Sequence, residues 1–160
     1  MERDTVTFVC TGNTCRSPMA EALLRAALAK RGGPELSRLK VISRGLSAME
    51  NDLASELSVK VMGRIGLDIA GHRSHRLTQA DLDRSLVVFG MTESHVKGLR
   101  ARYDVLPEQI LLLREVMPAP EGLEISDPFG GGFRDYEAAR DSMVEAMPAL
   151  IDFLRKHFAT

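Results

Sequence analysis

Val6-Thr7-Phe8-Val9, then Cys10-Thr11-Gly12-Asn13-Thr14-Cys15-Arg16, then Ser17-Pro18-Met19-Ala20-Glu21-Ala22-Leu23-Leu24 follow one another without a break, and their order decides the fold class. The first segment is β-branched and aromatic, as a buried strand is; the last carries the start signals and apolar spacing of a helix. The seven residues between must turn the chain. Ser17 reads as the N-cap and Pro18 as the first helical residue, because proline lacks the N–H that would go unpaired there and its φ is already near the helical value.

A helix that opens at this loop presents unpaired N–H groups and the positive end of its dipole to whatever the loop holds, and an anion is favoured there. Gly12 is expected to permit the backbone angles that turn loop N–H groups inward as an anion nest. In that field the Cys10 sulfur is expected as a thiolate at neutral pH. Arg16 adds a permanent planar charge whose fork of donors can take two equatorial phosphoryl oxygens at once. A thiolate below a phosphoryl group, with an arginine clamping the oxygens, is an in-line phosphotransfer arrangement. It still lacks an acid for the leaving group.

Strand and helix signals alternate along the rest of the chain, as a parallel α/β sheet requires. Leu39 to Ser43 reads as the second strand, Ser85 to Gly90 as the third and Ile110 to Leu113 as the fourth. Leu53, Leu57, Val61 and Ile65 recur every four residues and predict one helical stripe of core packing. Leu77 to Leu82 reads as a short helical turn or helix, and Thr92 as the cap of the next helix. Met117 to Phe133 is rich in proline and glycine, a long loop of the kind that is usually functional in a small domain. The last helix is expected over about Arg134 to His157, with Val144, Met147, Ile151, Leu154 and Phe158 on one face and a kink or division at Pro148. Right-handed crossovers then give a four-stranded sheet with helices on both faces, and such sheets bind ligands beyond the carboxyl ends of their strands. Cys10 lies at such an end.

The 160 residues, 44% of them hydrophobic, suit one domain spanning residues 1–160. With 21 basic and 22 acidic side chains the net charge is −1, so no global field points to nucleic acid or an anionic membrane. No apolar run approaches the roughly 20 residues needed to span a bilayer, and Met1-Glu2-Arg3-Asp4 shows no signal-peptide pattern. A cytoplasmic protein is expected, with monomer as the default state. The two cysteines share one short loop, unlike a disulfide framework. With four histidines not arranged beside them in ligand pairs, no metal site and no cofactor is expected.

Residues 10–18 fit the C-x5-R-[ST]-P loop of the low-molecular-weight protein tyrosine phosphatases, and the chain resembles that family in length and motif order. The resemblance implies a four-stranded parallel sheet in the order 2-1-3-4. It also supplies the missing acid: Asp127-Pro128-Phe129-Gly130-Gly131 stands where the family carries its Asp-Pro pair, so Asp127 inherits the acid role. Chemistry asks for the same group, because a nitrogen or oxygen leaves far better when protonated, by about 10²–10⁴ in rate. Pro128 biases Asp127 toward an extended backbone. The supporting residues that the resemblance implies are Asn13, Ser43 and His72, with Ser17 as the hydroxyl that eases departure of the nucleophile. The family's Ser-Ala-Gly turn reads Ser43-Arg44-Gly45 here, and Arg44 is expected to face solvent rather than to add positive potential near the mouth. His75, His95 and His157 carry no catalytic signal.

Within the family, the chain is more similar to the bacterial protein arginine phosphatases. Thr14 precedes the second loop cysteine where tyrosine phosphatases usually carry an aliphatic residue, and the acid loop reads Asp-Pro-Phe-Gly-Gly. Thr14 would narrow and polarise the pocket, with Phe129 beside it in the specificity set, while Asp127 would pair with a guanidinium. The resemblance therefore implies hydrolysis of phosphoarginine in protein substrates through a phosphocysteine formed on Cys10, with inorganic phosphate as product. Phosphotyrosine is the alternative substrate. Cys15 is either a small buried residue or, by resemblance, a resolving thiol for oxidised Cys10. Two other classes fit less well. Arsenate reductases share the C-x5-R loop but relay oxidation through further cysteines that this chain lacks. A non-catalytic oxyanion-binding module has no use for Cys10, Arg16 and Asp127 together.

Overall fold

The computed structural model describes residues 2–160. Four strands, β1 (Thr5–Cys10), β2 (Lys40–Gly45), β3 (Ser85–Gly90) and β4 (Gln109–Leu112), form one parallel sheet in the order β2-β1-β3-β4. The helices are α1 (Arg16–Arg31), α2 (Glu56–Gly63), α3 (Gln79–Arg84), α4 (Glu93–Arg102) and α5 (Phe133–Phe158). The order and the layering are as expected from the alternation of elements and the family resemblance.

Period-two side-chain alternation in β1 builds both halves of the core. Val6, Phe8 and Cys10 face α1, α2 and α5, where they pack with Met19, Leu24, Met62, Met143, Leu150 and Leu154. Val9 faces the other way, onto Leu82 of α3 and Leu99 of α4. Phe8 stacks on Phe89 of β3 at 5.7 Å between ring centroids, and Phe89 meets Phe153 of α5 edge-on at 6.0 Å. Each such fully buried side chain contributes about 1.5–3 kcal/mol. The chain leaves β1 toward β2 on one side and later returns to β3 on the other, so the carboxyl end of β1 lies at the switch point where such sheets hold ligands.

Several local expectations are corrected. The first helix starts at Arg16 with Cys15 at the N-cap, not with Ser17 as cap and Pro18 first. The Ser17 hydroxyl is engaged by Asn13, Cys10 and the Arg44 carbonyl instead of a helix N–H, and Pro18 still falls within the first turn, where a missing N–H breaks no intrahelical bond. The stripe from Leu53 to Ile65 does not form: α2 holds only Leu57 and Val61 of it, Leu53 bridges to Arg73, and both Leu53 and Ile65 are exposed. Ser55 decides the boundary, because its side chain accepts the Ser58 N–H and starts the helix there. The second strand runs on to Gly45, and the fourth ends at Leu112, where a short 3-10 turn (Leu113–Val116) begins. The last helix runs unbroken through Pro148. Val144, whose carbonyl loses its partner there, is exposed rather than part of the buried face formed by Met147, Ile151 and Leu154.

Candidate active site

The loop from Cys10 to Ser17 is held from outside by its own carbonyls. The Cys10 carbonyl accepts the Leu46 N–H at 2.9 Å, Thr11 that of Ser47 at 3.0 Å, and Thr14 that of Ser55 at 2.8 Å. The Asn13 carbonyl accepts from Nε2 of His72 at 2.7 Å. No peptide bond among the described residues is cis, and in a trans peptide the N–H points opposite to the carbonyl. The amides of Thr11, Gly12, Thr14 and Cys15 are thus turned away from these anchors, as an anion nest needs.

The left-handed residue that closes this curve is Asn13, with φ of 57°, and not Gly12. Asparagine tolerates that region because its short side chain bonds locally. Here the side chain is fully buried and satisfied on every side. Its amide nitrogen donates to Ser17 Oγ at 2.8 Å and to Ser43 Oγ at 3.0 Å, and its oxygen accepts the His75 N–H at 2.9 Å. The Ser43 hydroxyl in turn donates to Glu21 Oε1 at 2.7 Å. With Asn13 donating into the Ser17 oxygen, the Ser17 hydrogen has Cys10 Sγ at 2.9 Å as its nearer acceptor and the Arg44 carbonyl at 3.4 Å as the other. The relay from Glu21 through Ser43, Asn13 and Ser17 therefore ends with a donor aimed at sulfur.

Glycine is required instead at Gly45, the last residue of β2. A Cβ there would lie 2.6 Å from the Thr11 carbonyl oxygen, 2.8 Å from Ala48 Cβ and 3.0 Å from the Asn13 nitrogen. The sheet can thus approach the loop closely enough to pair Gly45 with Cys10.

Cys10 is 3% exposed and Arg16 is 4% exposed. Arg16 donates from Nη1 to the Ile125 carbonyl at 3.0 Å, and its Nη2 lies 3.6 Å from Asp127 Oδ2. Its Nε is buried with no acceptor among the described residues, which suits an oxygen of a bound oxyanion. The Asp127 side chain is 56% exposed, and its Oδ1 accepts the Phe129 N–H at 3.0 Å. That bond leaves Oδ2 toward Arg16 and open to the mouth. Phe129 is 79% exposed at the rim. Cys15 is a buried free thiol with Sγ 3.5 Å from Ser55 Oγ and 3.6 Å from the Tyr136 hydroxyl. Burial, reinforced by the Cys15 contact, raises the Tyr136 phenol above its ordinary range. Arg44 does not face solvent: its Nε pairs with Asp81 at 3.0 Å.

His95 is the residue that sequence reasoning passed over. It is 3% exposed, and its Nε2 lies 3.0 Å from Thr11 Oγ1 in the loop. Burial, and secondarily the Arg16 guanidinium, lower its pKa to about 4. Its position three residues after the Thr92 cap was the one available sign, since a residue there can reach back to the helix start.

The low molecular weight phosphotyrosine protein phosphatase model matches residues 5–159. A protein-arginine-phosphatase of Geobacillus stearothermophilus is 35% identical over 150 residues, covering 94% of this chain and 95% of its own. A solved YwlE arginine phosphatase mutant with a phosphorylated active site serine superposes with a TM-score of 0.86 at 30% identity, over 95% of this chain and 96% of its own. A low molecular weight protein tyrosine phosphatase from T. tengcongensis superposes at 0.85 with 32% identity, over 94% and 99%. A parallel sheet in this order, a Cys10-to-Ser17 loop at its switch point and matches across nearly the whole chain lead to one conclusion: the chain belongs to the low molecular weight phosphotyrosine protein phosphatase family.

Proposed function

We propose that this chain is a cysteine-dependent protein phosphatase that hydrolyses phosphoarginine. The observation that carries the chemistry is the convergence on one buried sulfur of the Ser17 hydroxyl at 2.9 Å and the loop bearing Arg16, which stands 3.6 Å from Asp127. In the first step the Cys10 thiolate attacks phosphorus in line, an S–P bond forms, and the P–N bond breaks as Asp127 protonates the departing guanidino nitrogen. Arg16, the loop amides and the α1 dipole stabilise the equatorial oxygens. They supply the positive charge that magnesium brings to kinases, so the reaction needs no metal. In the second step Asp127 takes a proton from water, the water oxygen attacks phosphorus, and the S–P bond breaks toward the Ser17 hydrogen. Inorganic phosphate leaves. A phosphorylated active site serine in a solved YwlE arginine phosphatase mutant supports a phosphoenzyme on this scaffold.

Substrate choice follows from Thr14 and Asp127. Thr14 is half-buried, with its carbonyl tied to Ser55 and its hydroxyl oxygen 3.8 Å from Cys15 Sγ, and we assign its branched hydroxyl side chain to the specificity of the loop. The exposed Asp127 carboxylate can receive a guanidinium through paired N–H···O bonds. The similarity to protein arginine phosphatases supports this choice. Phosphoprotein substrates, a reducing cytoplasmic compartment and a monomeric state complete the reading; no helix among the described residues is long and apolar enough to cross a membrane. Cys15 is the proposed resolving thiol: peroxide converts Cys10 to a sulfenic acid, Cys15 sulfur displaces water, and a reductant restores both thiols.

The deciding experiment compares kcat/KM for phosphoarginine and phosphotyrosine peptides in the wild type and in Thr14→Ile. Preference for phosphoarginine is expected, with a shift toward phosphotyrosine in the variant. Wild-type preference for phosphotyrosine would overturn the substrate assignment, and equal ratios in both proteins would remove Thr14 from it.

A further inference from the structure

His95 takes no part in the two steps above, yet it touches the phosphate loop from the turn that holds the segment leading to Asp127. Its Nδ1 accepts the N–H of Met91 at 3.3 Å and of Thr92 at 3.2 Å. Nδ1 therefore carries no hydrogen, and the neutral ring must hold its proton on Nε2, which donates to Thr11 Oγ1 at 3.0 Å. The ring is wedged at the end of β3, where even a Cβ on Gly90 would stand 3.2 Å from His95 Cβ. The same β3–α4 turn holds the segment that leads to Asp127. The Met91 carbonyl accepts the Ile125 N–H at 2.8 Å, and Glu124 accepts the Glu93 N–H at 2.7 Å. Arg16 closes the circuit by donating to the Ile125 carbonyl.

We propose that His95 is a positioning residue: through its Nε2–H bond to Thr11 it locks the phosphate loop to the β3–α4 turn, and so sets the distance between Cys10 and Asp127. The inference rests on the phosphatase reading. Thr11 is exposed while His95 is buried, so the bond fixes a loop side chain whose backbone carbonyl is already held by Ser47. Only the neutral ring serves. A proton on Nδ1 would face two backbone N–H groups and break both bonds. The charged groups that act on the ring are Arg16, which opposes its protonation, and Asp127 and Glu124, which favour it; burial outweighs them all and keeps the ring neutral.

Four variants and one spectrum test this. Nitrogen-15 NMR of the histidine ring reads it without turnover, and the Nε2–H tautomer is expected at pH 7; a charged or Nδ1-protonated ring at pH 7 overturns the proposal. His95→Asn keeps an acceptor for the Met91 and Thr92 N–H groups but loses the reach to Thr11. It is expected to lower kcat about tenfold, as a sub-ångström misplacement of reacting groups does, with inhibition by inorganic phosphate within about twofold of wild type. Thr11→Val removes the same contact from an exposed position that tolerates the change, and the same loss is expected. The double variant should be no slower than either single, and His95→Gln, whose amide can reach Thr11, should recover most of the rate. Wild-type kcat in Thr11→Val, or losses that multiply in the double variant, refute the link. A wild-type enzyme with no phosphatase activity would overturn the phosphatase reading instead, and the spectrum would still judge the ring.

Discussion

Gly45→Ala adds one methyl group where the second strand meets the phosphate loop, and the structure fixes what that methyl would strike. Its Cβ would lie 2.6 Å from the Thr11 carbonyl oxygen, 2.8 Å from Ala48 Cβ and 3.0 Å from the Asn13 nitrogen. Ordinary contact needs about 3.4 Å or more, and none of these atoms sits on a side chain that can swing away. The backbone must therefore yield by several tenths of an ångström, at a point where Gly45 pairs with Cys10 and where Leu46 and Ser47 hold the loop carbonyls. Overpacking of this kind costs about 1–3 kcal/mol, and backbone partners put it at the upper end. For a chain of this length that is a fall in Tm of about 5–10 °C. Activity should suffer more than stability, because displacement of the loop amides misaligns the nucleophile and costs up to about 10²-fold in kcat/KM. Thermal unfolding and p-nitrophenyl phosphate turnover measure the two effects. Gly71→Ala is the control, since a Cβ there meets nothing within 4 Å. Wild-type Tm and turnover in Gly45→Ala would refute the placement of the loop against β2.

Other outcomes follow from the same geometry. Asp127→Asn should lower hydrolysis of protein phosphoarginine by about 10²–10⁴ and let phosphocysteine accumulate from an activated aryl phosphate, seen by mass spectrometry; full activity removes Asp127 from the acid role. Asn13→Ala should cost about 3 kcal/mol in a urea titration, from the left-handed backbone and the stranded partners on Ser17, Ser43 and His75; Asn13→Gly should recover only the backbone share, about 1 kcal/mol. Because the folded His95 ring titrates near 4 and a free one near 6.5, the unfolded chain binds more protons between those values. Stability is then full above about pH 6.5 and declines by roughly 3 kcal/mol as pH falls to about 4. Urea midpoints across that window should show a shallower decline in His95→Asn, and parallel curves would contradict the assignment.

The parallel sheet, its helices and the Cys10–Ser17 loop were legible because they rest on local signals. Apolar runs mark strands, and Thr92 marks a helix start. Ser85–Gly90 was read to the residue, since both its flanks carry polar or turn-forming residues. The stripe from Leu53 to Ile65 misled because period-four spacing is necessary for a helix face but does not build one; the Ser55 cap and the bridge between Leu53 and Arg73 prevailed. Arg44 was misread for a related reason, as its partner Asp81 lies on another element.

What the sequence determined by itself was the class of chemistry: a sulfur, an arginine and a helix start within eight residues can be brought together by the local backbone alone. The order of the sheet and the acid role proposed for Asp127 came from resemblance, since no local rule reaches across 117 positions from Cys10. Only the tertiary structure decided which residues hold the loop in shape. It gave the left-handed turn to Asn13 rather than Gly12, because a buried asparagine can bond three surrounding residues at once. It made Gly45 obligatory, because a neighbouring strand comes within contact of the loop backbone. And it turned His95 from an unmarked helix residue into the buried link behind Thr11, through a contact between residues 84 positions apart. Long-range packing sets such contacts, and no periodicity encodes them.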